Sequence, residues 1–130
     1  MSQYSLIRRR TKLARLDTIN GKAKHMSAEV QKELLRLRNF LQKDDIRLTV
    51  IFFPTLKKTR DWSKSENRSY QAFLKIMHNL AIPYFDLTIP LSQWEGKIDD
   101  LRENTWDAWH PSGKAADYFS DYLLRTGFLR

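Results

Sequence analysis

The chain has 130 residues and a mass of 15.5 kDa, room for one domain and one hydrophobic core. Apolar residues make up 42% and aromatics 12%, which excludes general disorder, and the absence of cysteine excludes a disulfide scaffold, a zinc knuckle and a thiol nucleophile. The formal net charge of +8 is lopsided: residues 1–60 hold 15 basic against 5 acidic side chains, residues 61–130 hold 8 against 10.

Residues 1–26 form a basic N-terminal segment, with Arg8, Arg9, Arg10, Lys12, Arg15, Lys22 and Lys24 against the single acid Asp17. Tyr4, Leu6, Ile7, Leu13 and Leu16 are close to helical spacing and predict a short amphipathic helix, with Asn20-Gly21 as a turn or helix stop. The start has no apolar h-region and does not read as a signal peptide. The longest uncharged stretch, Ile76–Phe85, is about half of what a membrane-spanning helix needs. A soluble, cytoplasmic protein is the expectation, replaced by cell-envelope association if the chain is a fragment of a longer protein.

A helix is predicted over 27–43, with Ser27 as cap, Glu29 in the first turn and Val30, Leu34, Leu37 and Leu41 as the apolar stripe. Asp44-Asp45 opens a loop. The β-branched and aromatic run Arg47–Phe53, closed by Pro54, predicts a central parallel strand covered on both faces. Thr55–Trp62 reads as a polar, basic loop, in which Lys57, Lys58 and Arg60 stand where α/β folds place ligands. Ser63 and Glu66 have capping-box spacing. Tyr70, Phe73, Leu74, Met77 and Leu80 then continue as an amphipathic helix to about Asn79. A second strand is predicted over Ala81–Leu87, ending near Asp86, and Leu91–Thr105 is irregular or briefly helical. The last helix runs from Ser112 to Arg125 with Ala116, Phe119, Tyr122 and Leu123 inward and Gly127 beyond its end. Helices alternating with strands indicate an α/β layered fold.

The stretch that can carry chemistry is Asp107-Ala108-Trp109-His110-Pro111-Ser112. Three residues apart within one turn, the Asp107 carboxylate can accept the Nδ1–H of His110, which leaves Nε2 as a general base. A surface turn carries the same bare Asp-x-x-His spacing. Trp94, Trp106 and Trp109 lie near it in sequence, suited to stacking on a sugar or lining an acyl pocket, or to covering a small core.

Asp107-x-x-His110-Pro111-Ser112-x-x-Ala115 followed by an amphipathic helix resembles the last block of the SGNH/GDSL hydrolase superfamily. The apolar strand ending in Pro54 and the pair Asp86-Leu87 at the next strand's end agree with it. The resemblance spans about residues 28–126. With length giving a single domain over 1–130, it implies 27–130 as the C-terminal portion of a doubly wound, three-layer α/β/α domain with few parallel strands. It also implies Asp107 and His110 as catalytic and an ester substrate such as an O-acyl group on a cell-envelope polysaccharide, for which Trp106 and Trp109, by their place beside the pair, are the substrate-binding candidates. Neither a cofactor nor a metal ion is expected; His25 and His78 lack ligand spacing.

The family's Gly-Asp-Ser nucleophile motif is missing: none of Gly21, Gly96, Gly113 and Gly127 precedes an Asp-Ser pair. Without nucleophile and oxyanion donors an Asp–His base has nothing to activate. Three accounts fit: the C-terminal piece of a longer hydrolase, which is the expectation, a non-catalytic relative, or a half completed by a partner chain. A different class of function is also open. The basic N-terminal half would then make a small binding module for anionic lipid, a protein or, ranked lower, nucleic acid.

Overall fold

The computed structural model describes residues 23–128, with side chains from residue 27 onward. The basic cluster Arg8, Arg9, Arg10, Lys12 and Arg15, the amphipathic helix and the Asn20-Gly21 turn expected in the N-terminal segment lie outside the described residues. The elements are α1 (Ala23–Gln42), β1 (Val50–Phe52), α2 (Lys64–Leu80), β2 (Tyr84–Asp86), α3 (Thr88–Ser92) and α4 (Gly113–Arg125), with 3₁₀ turns at Thr59–Asp61 and Ile98–Leu101. This is a mixed α/β architecture with two parallel strands. The described chain gathers into two compact units, residues 23–48 with 71–81 and residues 49–70 with 82–128.

In the first unit, α1 starts four residues ahead of Ser27, so Ser27 lies inside the helix instead of capping it. The expected stripe is also rotated. Val30 and Leu37 are exposed, and Gln31, Leu34, Leu35, Arg38 and Leu41 form the half-buried face. The helix ends in a Schellman motif: Asp45 takes a left-handed φ of 56°, its N–H donates to the Gln42 carbonyl, and the Ile46 N–H donates to that of Leu41. The C-terminal turns of α2 supply the buried Ile76, Met77 and Leu80. An Arg38 Nη1–H donates to the Leu80 carbonyl, a cation at the negative end of the α2 dipole.

In the second unit, β1 and β2 pair in parallel register, Val50 opposite Tyr84 and Phe52 opposite Asp86. β1 is shorter than its apolar run. Ile51 and Phe53 are 39% and 43% exposed, so the strand is not covered on both faces among the described residues. The following loop departs from its polar reading at once, because Pro54, Thr55 and Leu56 are buried and Leu56 has no exposed surface. Leu56, Leu87, Leu91, Leu101, Ala115 and Phe119 make the core, flanked by Trp94, Ile98, Tyr118, Tyr122 and Leu123.

Two helix ends in this unit follow their sequence signals. The Ser63 Oγ accepts the Glu66 N–H at 3.1 Å while the Glu66 carboxylate accepts the Ser63 N–H at 2.7 Å, the reciprocal capping box that opens α2. At the end of α4, Gly127 adopts a φ of 90° that a side chain would strain, the Phe128 N–H closes on the Leu123 carbonyl, and the Phe128 ring meets Phe85 edge-on. The inward alanine of α4 is Ala115; Ala116, one residue and about 100° further round, is exposed.

Candidate active site

The segment between Leu101 and Ser112 contains one isolated bridge, Arg102 with Pro111, and is otherwise shaped by individual hydrogen bonds. Glu103 N–H donates to the His110 carbonyl at 3.0 Å, and Ser112 N–H to that of Leu101 at 2.9 Å. The Ser112 hydroxyl donates to the Asp100 carbonyl at 2.6 Å and accepts the Ala115 N–H at 3.2 Å, so one side chain closes the loop and caps α4.

Leu56 ties this loop to the strand. Its N–H donates to the Ala108 carbonyl at 2.9 Å. Its own carbonyl accepts two bonds from Arg102, Nε at 2.8 Å and Nη2 at 2.7 Å. The third arm of that guanidinium reaches the Thr105 carbonyl at 2.7 Å, and the Arg102 side chain is only 15% exposed. Arg102 is the residue that sequence reasoning missed, and a basic side chain in an irregular stretch gives no signal for it. Leu56 follows β1 by four residues, so the clamp holds the block beyond the strand's carboxyl end, where α/β folds assemble ligand sites.

Within that frame the Asp107 carboxylate accepts the Trp109 N–H at 2.9 Å through Oδ1 and is bonded to His110 Nδ1 through Oδ2. These two donors, the Trp109 amide first, hold the Asp107 carboxyl below the usual carboxylate range. An ionised carboxylate only accepts, so Nδ1 carries the proton and the neutral ring keeps its lone pair at Nε2. The Asp107 side chain is 13% exposed and that of His110 68%, and Nε2 has no hydrogen-bond partner among the described residues. The pairing is the one the spacing predicts. An orienting carboxylate, a fixed tautomer and an accessible base atom can take a proton from a hydroxyl or water brought to Nε2.

Trp106 and Trp109 each stand one residue ahead of a member of the pair and are 81% and 67% exposed, a large apolar surface beside a polar one. Trp94 is placed differently: it packs edge-on against Tyr118 at 4.8 Å and donates its Nε1–H to the Lys97 carbonyl. Of the three cations after β1, Lys57 is paired with Glu66 at 2.9 Å, and Lys58 and Arg60 line a hollow with Trp94.

Asp86, at the end of β2, is buried at 7% exposure and accepts the Tyr70 hydroxyl at 2.5 Å and the Thr88 N–H at 2.9 Å. Burial, then the Asp86 carboxylate, pushes the Tyr70 hydroxyl up to about 12. The Ser112 hydroxyl is committed to α4, and no serine among the described residues is bonded to His110. Among the described residues no group of three His, Cys, Asp or Glu side chains is arranged to hold a metal ion, and no helix is long and apolar enough to cross a membrane. The chain matches no protein-family model, no curated protein and no solved structure.

Proposed function

We propose that this chain carries the acid–base portion of an SGNH-like serine ester hydrolase, with residues 27–130 as the C-terminal part of a doubly wound α/β/α domain. The observation that carries the reading is the Asp107–His110 pair, its Nδ1 engaged and its Nε2 unpartnered, clamped beyond the carboxyl end of a parallel strand. In this reading Asp107 orients the ring and His110 is the general base. Nε2 takes the proton of a serine supplied from outside this 130-residue chain as that serine bonds to the acyl carbon. The same proton then goes to the departing alkoxide, and water releases the acyl group by the reverse exchange. The substrate class is an O-acyl ester, such as one on a cell-envelope polysaccharide, with Trp106 and Trp109 offering the faces on which a sugar or acyl group rests. The serine comes from an extension of this chain or from a partner. A chain that never meets it is a non-catalytic relative.

The first test is on the chain itself. Hydrolysis of p-nitrophenyl acetate is expected to be the same for the 130-residue protein and His110→Ala, because the base has no nucleophile to serve. His110-dependent turnover by this chain alone overturns the division of labour. The second test is on the reading frame extended upstream of Met1. It is expected to encode a strand followed by Gly-Asp-Ser, and Asp107→Asn in the extended protein is expected to lower kcat by about 10⁴-fold. Esterase activity indifferent to both Asp107 and His110 refutes the assignment.

A further inference from the structure

We infer a separate binding site for a single acidic sugar ring, in the hollow where the loop after β1 faces the connection from α3 to the Ile98–Leu101 turn. The hollow holds about 180 Å³, and its lining includes Lys58, Thr59, Arg60, Leu91, Trp94, Gly96 and Ile98. It does not depend on Asp107 or His110, so it stands or falls apart from the hydrolase reading.

The wall of the site is Trp94, and its ring is fixed before any ligand arrives. Its Nε1–H donates to the Lys97 carbonyl at 3.1 Å, and it forms a T-shaped pair with Tyr118, ring centroids 4.8 Å apart. Gly96 lies directly against it, for a Cβ there would stand 2.8 Å from Trp94 Cζ2. A ring already immobile loses little conformational freedom on binding. The floor is apolar, formed by buried Leu91 and half-buried Ile98 at the margin of the core.

The charge on the rim is uncommitted. Lys57 is taken up by Glu66, whereas Lys58 and Arg60 are exposed and have no anionic partner among the described residues. Asp61 and Glu95 are sequence neighbours of these residues, but neither lines the hollow. Two unpaired cations beside a fixed aromatic face call for a ligand with a carboxylate or phosphate on one side and an apolar face on the other. The volume is well under the roughly 300–1,000 Å³ of sites for drug-sized ligands, so it takes one ring. A uronate has all three properties: a C–H face for Trp94, hydroxyls for Thr59 and a carboxylate for Lys58 and Arg60.

The test follows the four tryptophan indole N–H signals of the full chain by ¹H–¹⁵N correlation NMR, with Trp94→Phe identifying the Trp94 signal. D-glucuronate is expected to shift that signal saturably, at least about tenfold more tightly than D-glucose, inorganic phosphate or benzoate. Lys58→Ala with Arg60→Ala, both at exposed positions, is expected to weaken binding at least about tenfold with the rest of the spectrum intact. Gly96→Ala, which displaces the ring, is expected to weaken it independently of charge. Equal binding of glucose or benzoate overturns the acidic-sugar assignment, and phosphate binding as tight as glucuronate reduces the site to a bare anion contact. No saturable shift at Trp94, or one indifferent to the loss of both cations, removes the site altogether.

Discussion

Helix α1 and the segment from Leu101 to Ser112 stand in opposite relations of regularity to burial. α1 is 20 residues of continuous helix, yet none of its described side chains is buried, and Val30, Leu37 and Phe40 are 48%, 43% and 63% exposed. The Leu101–Ser112 segment is nearly devoid of regular structure, yet it starts at a leucine with no exposed surface and is bonded to Leu56 through both main chain and Arg102. A helix satisfies most of its amides locally, so a regular backbone does not require that its side chains be fully buried. An irregular chain must find each partner elsewhere, and every such bond fixes its position. The candidate base therefore sits on the irregular segment because that is where long-range bonds determine placement.

The contrast is sharpest in paired leucine truncations. Leu101→Ala empties a fully buried position of the core and is expected to cost about 2–5 kcal/mol. Leu37→Ala, at 43% exposure on α1, is expected to change stability by no more than about 0.5 kcal/mol. Urea unfolding followed by tryptophan fluorescence compares the two. Equal costs would mean that burial does not distinguish these regions.

Arg102→Met is the next largest. It keeps much of the side-chain volume but removes two donors from the Leu56 carbonyl and one from that of Thr105. Leaving a part-buried acceptor unpaired is expected to cost about 1–3 kcal/mol. Arg102 is a positioning residue, so the telling readout is local. Amide exchange is expected to accelerate over residues 103–110 while the amides of α1 keep their protection. A uniform rise across both regions would mean that Arg102 supports overall stability and does not specifically clamp the block.

What the sequence made legible is what is encoded over a few residues. The Ser63–Glu66 box, the Gly127 helix stop and the Asp107–His110 pair all lie within one turn, and side-chain type with spacing suffices to specify each. Burial of the loop after β1 was not legible, because Leu56 is held by a guanidinium 46 positions away. The face of α1 and the choice of Ala115 over Ala116 were misassigned for a related reason. Neighbouring residues differ by about 100° around a helix, and only the packed partner decides which of them points inward. Trp94 was grouped with Trp106 and Trp109 by sequence proximity, whereas its ring contact is Tyr118, on α4.

The smallest expected effect concerns the first turn of α2, where local encoding meets electrostatics. Ser63→Ala removes the acceptor for the Glu66 N–H and is expected to cost about 1 kcal/mol. Burial raises the Glu66 carboxyl, but the Ser63 N–H and the Lys57 ammonium together outweigh it and hold the group below its ordinary value of 4.5. A carboxyl depressed in the folded protein contributes fully above its unfolded value, and the contribution drains away as pH falls through the lower folded value. The Glu66 share of stability is therefore flat at neutral pH and lost as pH falls below the ordinary carboxyl value of 4.5. Glu66→Gln keeps an acceptor for the Ser63 N–H and gives up the charge. It is expected to flatten that acid limb while costing no more than about 0.5 kcal/mol at neutral pH, because the Lys57 pair is partly solvated. Urea midpoints across the acid range compare the variants. An unchanged acid limb in Glu66→Gln would place the titrating group elsewhere, with Asp107 the other carboxylate held below its usual range. That outcome would return the pH dependence from the local helix start to the irregular segment that carries the base.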